Sequence, residues 1–221
     1  MAARVKIGVL VSGSGSNLQS IIDQIEKGRL SADVRIVISN DPGAYALTRA
    51  TEHAIPTAVV NHQDYENRED FDRKMVELLE AYGVELVVLA GFMMILTPIF
   101  LRAFPMRIMN IHPALLPSFP GLHAHRKVLS HGVKFSGCTV HFADDGVDTG
   151  PIIIQSAVPV YDDDTEETLA ARVLREEHRI YPQAIQLFAE GRIEIDGRRV
   201  RVKSDNADQL PPLHNPPLEG F

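Results

Sequence analysis

Asn110-Ile111-His112-Pro113 closes Arg107–Ile111, an apolar segment that reads as a β-strand. Alternation along a strand puts Asn110 and His112 on one side, at the strand's carboxyl end. A carboxamide donates to a carbonyl oxygen that is gaining charge, and an imidazolium donates to the same oxygen or passes a proton. Such an imidazole needs a carboxylate nearby to stay charged near neutral pH. Asp144, Asp145 and Asp148, in the loop Ala143–Pro151, are all candidates, and spacing leaves the three open. A histidine at a strand end also fits a merely packed or solvated side chain.

A second constellation is Ser12-Gly13-Ser14-Gly15-Ser16-Asn17. It lies between the apolar run Val5–Val11 and a helix carrying Leu18, Ile21, Ile22 and Ile25 on one face. Free amides at a helix N-terminus, with the helix dipole behind them, favour a phosphate, and glycine lets the backbone come close. Leu18 stands where a dinucleotide fingerprint needs its third glycine, and no Gly-Lys-Ser/Thr follows as in a Walker loop. The plain alternative is a tight turn with a serine helix cap. Phe92-Met93-Met94-Ile95-Leu96 follows an apolar strand as a loop of apolar residues. It reads as core, or as one side of a groove for a flat heteroaromatic ligand. His123, His125, His131 and His141 raise the question of metal, with His123-Ala124-His125 able to chelate from a strand. No HExxH or Cys/His ligand spacing accompanies them, so no metal is expected.

These residues need a frame. β-branched segments alternate with amphipathic ones, the pattern of an α/β fold with a mainly parallel sheet and helices on both faces. Strands are expected at Val5–Val11, Asp33–Ser39, Pro56–Val60, Glu85–Ala90, Arg107–Ile111, Ser136–Phe142 and Ile152–Val160. Asn40-Asp41-Pro42-Gly43 signals a loop, and a short helix follows it. Phe71–Tyr82 is helical by period, with Met75, Leu78 and Leu79 inward. His112–Gly121 holds three prolines and is not a regular helix. A long helix is expected from about Thr165 to Glu190, with Asp164 and Glu167 as a capping box and Pro182 kinking or dividing it. Ile193–Ile195 and Arg199–Val202, joined through Asp196-Gly197, read as a hairpin with a type I′ turn. The expected domain is 1–203, with a nucleotide-binding half near 1–105 and a second half from 106, no linker between them. Residues 204–221 read as an extended or disordered tail.

Composition narrows the function. The 221 residues carry a net charge of −7, so no general basic surface attracts nucleic acid. Any phosphate must be held locally. Cys138 is the single cysteine, which excludes an intramolecular disulfide and a Cys-based zinc site and fits a reducing compartment. The N-terminal apolar run is too short to span a membrane. A cytoplasmic protein is expected.

At the same residues the chain resembles the phosphoribosylglycinamide formyltransferase family, folate-dependent enzymes of purine biosynthesis. The matching stretches are VLVSGSGSNLQSII, VVLAGFMMILTP, NIHPALLPSFPGLHAHR, GCTVHF, DTGPII and EEHRIYP, in the family's order from residue 7 to about 190. The resemblance implies a Rossmann-like formyltransferase fold. It implies 10-formyltetrahydrofolate as formyl donor, glycinamide ribonucleotide as acceptor, and no metal. It implies a phosphate site at Gly15, Ser16 and Asn17, and a ribose contact at Glu177. It implies a folate pocket with Arg68, Met93, Met94, Ile95, Leu96 and Asn110, and a catalytic set of Asn110, His112 and Asp148. The resemblance thus selects Asp148 among the three aspartates. It leaves room for a homodimer. Met94 stands where many members have arginine, and Leu174 where some place a phosphate-binding glutamine. Rival readings are a formyltetrahydrofolate deformylase, a methionyl-tRNA formyltransferase, and a non-catalytic nucleotide-binding module using the same turn.

Overall fold

The computed structural model describes residues 4–203 together with Leu213 and Asn215. The expectation for the tail at 204–221 otherwise lies outside the described residues. Among the described residues, nine strands form one sheet: β1 (Val5–Val11), β2 (Ala32–Ser39), β3 (Thr57–Val59), β4 (Leu86–Leu89), β5 (Ile108–His112), β6 (Phe135–Phe142), β7 (Ile152–Pro159), β8 (Ile193–Asp196) and β9 (Arg199–Val202). Their order is β3-β2-β1-β4-β5-β6-β7-β9-β8. The first five pair in parallel. β6 then runs antiparallel to β5, and β7 antiparallel to β6. One sheet thus passes through both halves of the chain.

The described α-helices pack on it: α1 (Ser16–Glu26), α2 (Tyr45–Glu52), α3 (Arg68–Ala81), α4 (Pro98–Ala103), α5 (Ala124–His131) and α6 (Glu166–Ala189). Two cores result, one for each face of the sheet. In β1, Val5, Ile7, Val9 and Val11 join the core under α1 and α6, while Leu10 joins the core under α3 and α4. Burial on both faces is why these central strands are continuous apolar runs. Among the described residues no helix is long and apolar enough to cross a membrane.

Three local expectations are corrected. α6 is not divided at Pro182; it runs unbroken for 24 residues. Proline removes the bond that would reach the carbonyl four residues back, that of His178. The Ser20 hydroxyl of α1 donates to this carbonyl at 2.8 Å, so the loss is made good from the neighbouring helix. The cap of α6 lies one residue later than expected, on Thr165 paired with Thr168. Asp164 is occupied instead by a two-pronged bond with Arg172, both arms 2.7 Å. The hairpin turn is Gly197-Arg198, since Asp196 pairs with Arg199. Gly197 has φ +58, but Arg198 is not left-handed. A type I′ turn needs positive φ at both positions, so this is the type II′ pattern.

Candidate active site

β5 ends between β4 and β6, where the parallel part of the sheet meets the antiparallel part. Asn110 and His112 leave it on the same side, as alternation requires. A long irregular segment returns the chain to β6. Its antiparallel register sets His141 opposite Asn110 and Thr139 opposite His112. The loop between β6 and β7 then brings Asp148 back over both residues of β5. Asp148 has φ +55, a left-handed conformation that aspartate tolerates better than most residues. Of the three candidate aspartates, Asp148 is the one at His112. Asp144 faces its own loop, accepting from Gly146 N–H at 3.1 Å and from the Thr149 hydroxyl at 2.6 Å.

The contacts are close and mostly buried. His112 Nδ1 lies 3.2 Å from Asp148 Oδ2, and His112 Nε2 lies 2.8 Å from the Phe119 carbonyl oxygen. Gly121 N–H donates to Asp148 Oδ2 at 2.7 Å, and Asn110 Nδ2 donates to Asp148 Oδ1 at 3.3 Å. His141 Nε2 is 3.2 Å from Asn110 Nδ2 and 3.5 Å from Asp148 Oδ1. Sequence reading did not single out His141 for this site. The only signal was its place in a strand whose direction the sequence did not reveal.

Electrostatics sort the pair. Burial by itself raises the Asp148 carboxyl, but the bond with His141, the Gly121 N–H and the two histidine charges outweigh it and hold the pKa at about 2. Asp148 is a carboxylate at neutral pH. Burial pushes His112 below the ordinary histidine value, against the opposing pull of Asp148 and the Phe119 carbonyl. Only the doubly protonated ring can donate to both of those acceptors at once. The proton on His112 is therefore held by geometry and loosened by desolvation, the balance wanted in a group that gives and takes a proton.

These four side chains line a cavity of about 400 Å³. Met93, Met94, Ile95 and Leu96 line it too, and Met93 and Ile95 expose more than half of their surface. The apolar loop is thus a cavity wall. Arg68, the first residue of α3, does not line the cavity; its guanidinium donates to the Ile95 carbonyl. Asp72, one turn on, accepts Thr97 N–H at 2.6 Å. Together they fix the far end of the loop.

A second cavity of about 170 Å³ lies against the glycine-serine turn and is lined by Gly15, Ser16 and Asn17. Gly91 and Met93 line both cavities. Gly15, not a serine, occupies the N-cap of α1, with φ +72. A Cβ there would lie 2.7 Å from Ala46 Cα. The first N–H groups of α1 have no acceptor within the helix and are available to an anion. α2 holds the turn from behind: Ala46 N–H donates to the Gly13 carbonyl at 3.0 Å, and Arg49 Nε to the Ser14 carbonyl at 2.9 Å. Glu177 on α6 lines neither cavity but accepts from Asn17 Nδ2 at 2.8 Å; burial raises its pKa. His123-Ala124-His125 starts α5, so it cannot chelate from a strand. Among the described residues no group of three or more His, Cys, Asp and Glu is placed to hold a metal ion.

The formyl transferase family matches residues 5–185. The chain is 42% identical over 212 residues to the phosphoribosylglycinamide formyltransferase of Escherichia coli strain K12, covering 93% of this chain and 100% of that one. It is 47% identical over 190 residues to the trifunctional purine biosynthetic protein adenosine-3 of Drosophila melanogaster, which covers 85% of this chain but only 14% of that protein. The crystal structure of glycinamide ribonucleotide transformylase 1 from Symbiobacterium toebii superposes with a TM-score of 0.91 at 53% identity, covering 92% of this chain and 96% of that one.

Proposed function

The chain belongs to the formyl transferase family, and we propose that it transfers the formyl group of 10-formyltetrahydrofolate to the amine of glycinamide ribonucleotide. One observation carries this reading. An apolar cavity lined by Asn110, His112 and Asp148 shares the residues Gly91 and Met93 with a second cavity at an anion-binding turn. A flat donor in the first and a phosphorylated acceptor in the second would meet at the shared wall.

The residues suit both substrates. The first cavity is of the size and apolar character that an aromatic ligand needs. The second offers backbone amides and a helix N-terminus to a phosphate. Holding both ligands side by side makes the reaction effectively unimolecular, which is worth several kcal/mol, on the order of 7 or more.

The bond changes follow from the side chains. The acceptor amine attacks the formyl carbon, and the carbonyl oxygen gains charge. Asn110 keeps one amide hydrogen on Asp148 and gives the other to that oxygen. His112 in its protonated form donates to the same oxygen. The carbon–nitrogen bond to the folate then breaks, the folate nitrogen takes a proton, and the acceptor amine loses one. Asp148, ionised at neutral pH, opposes the effect of burial on His112 and orients the ring. Arg68 contributes through the position of Ile95. Glu177 acts on the acceptor's site by holding Asn17. A cytoplasmic setting suits the buried, free Cys138.

The test is a transfer assay with 10-formyltetrahydrofolate, with and without glycinamide ribonucleotide, following both formylated product and free formate. Formylated product that depends on the acceptor is expected. Formate released at the same rate without acceptor would overturn the reading in favour of hydrolysis.

A further inference from the structure

Ser12 lines the second cavity and is bonded to Met93, which lines both. Ser12 is the first residue after β1 and opens the glycine-serine turn. Its Oγ donates to Asn40 Oδ1 at 2.6 Å and accepts the N–H of Met93 at 2.8 Å. Its own N–H donates to the Gly91 carbonyl at 3.1 Å. The turn that would hold the acceptor's phosphate is thereby bonded to the near end of the apolar loop that would hold the donor. Although Ser12 lines the second cavity, its hydroxyl is already committed to Asn40 and Met93.

The bonding is directional. A serine hydroxyl has one hydrogen, and here it goes to Asn40, leaving a lone pair aimed at Met93 N–H. Asn40, the residue after β2, fixes the rotamer. Ser12 is partly buried, so water replaces these bonds poorly. The other end of the loop is pinned by Arg68 and Asp72 on α3. A displacement of the turn therefore passes to Met93, which lines both cavities.

We propose that Ser12 is a positioning residue that couples the two substrate sites, so that binding at the turn tightens binding at the apolar loop. This rests on the two-substrate reading given above. Coupling is reciprocal, so the donor tightens the acceptor by the same factor.

The experiment is calorimetry with tetrahydrofolate, which lacks the formyl group and cannot react. It is titrated alone and in the presence of saturating glycinamide ribonucleotide. In the unmodified protein the acceptor should tighten tetrahydrofolate by about 5-fold or more, the lower end of ordinary coupling. Ser12→Ala should bring that factor close to one, whatever happens to the affinity for each ligand alone. Ser12→Thr, which keeps the hydroxyl, should restore most of it. A residue that only supports the fold would change the separate affinities and leave the factor intact. An unmodified protein without coupling, or a Ser12→Ala variant that retains it, overturns the proposal. The acceptor-dependent transfer assay decides the underlying reading separately, because transfer requires both sites but not their coupling.

Discussion

Replacing Asp148 by asparagine should remove a measurable, pH-dependent part of the protein's stability. The carboxylate accepts Gly121 N–H at 2.7 Å, faces His112 at 3.2 Å and His141 at 3.5 Å, and takes Asn110 at 3.3 Å. These contacts bring its pKa from 3.8 to about 2 in the folded protein. At about 1.4 kcal/mol per unit, the gap is worth about 2.5 kcal/mol. Because the folded value is depressed, this contribution is complete well above 3.8 and is lost as the pH falls toward 2. About 1 kcal/mol of it should be gone by pH 3. The carboxamide introduced by Asp148→Asn keeps the shape and one acceptor but carries no charge, so the variant should lack this dependence. Urea unfolding of both proteins at pH 5, 4 and 3 is the assay. The gap between them should be about 2.5 kcal/mol at pH 5 and narrow by about 1 kcal/mol at pH 3. A gap that stays constant would refute the assignment of the depressed pKa to Asp148.

Three further outcomes are expected. His112→Ala should fold normally and lose transfer by about 10²- to 10⁴-fold, measured as kcat; a rate near that of the unmodified protein would remove His112 from the mechanism. Ser20→Ala should cost about 1–2 kcal/mol in urea unfolding, because the His178 carbonyl freed by Pro182 loses its donor. In a Pro182→Ala background the residue at 182 supplies its own N–H, so the cost should shrink by about 0.5 kcal/mol or more; strict additivity would refute the link. Gly15→Ala forces a side chain into φ +72 and against Ala46. It should destabilise by about 1–2 kcal/mol and raise KM for the acceptor more than KM for the donor, as steady-state kinetics would show.

Most of the parallel half of the fold was legible because each central strand is buried on both faces and the longer helices α1 and α3 show an apolar stripe. Asn110 and His112 could be paired from strand alternation alone. Asp148 could not be chosen from spacing, because the choice depends on how a loop crosses the end of another strand; only the resemblance selected it. His141 needed the antiparallel register of β6, which no local pattern encodes. α4 and α5 went unread because they are short, and because one starts at a proline and the other on histidines. The division expected at Pro182 failed for a different reason. The rule that proline breaks helices assumes that the freed carbonyl lacks a partner, and Ser20 is distant in sequence. Asp164 looked like a cap, but the guanidinium of Arg172 outcompetes a helix amide for it.

The change from parallel to antiparallel pairing at β5 has a consequence for how such proteins diverge. Asn110, His112, His141 and Asp148 all come from one contiguous stretch that spans β5, β6 and the loop before β7. The glycine-serine turn and its supports in α1 and α2 come from the other end of the chain. The polar side chains of the first cavity and the glycine-serine turn are thus written in separate parts of the sequence, joined through Ser12 and Met93. An exchange of the segment around 12–17 would alter the turn first and reach 108–159 only through the residues that touch both cavities. The boundary where the exchange is felt first is the wall both cavities share, at Gly91 and Met93.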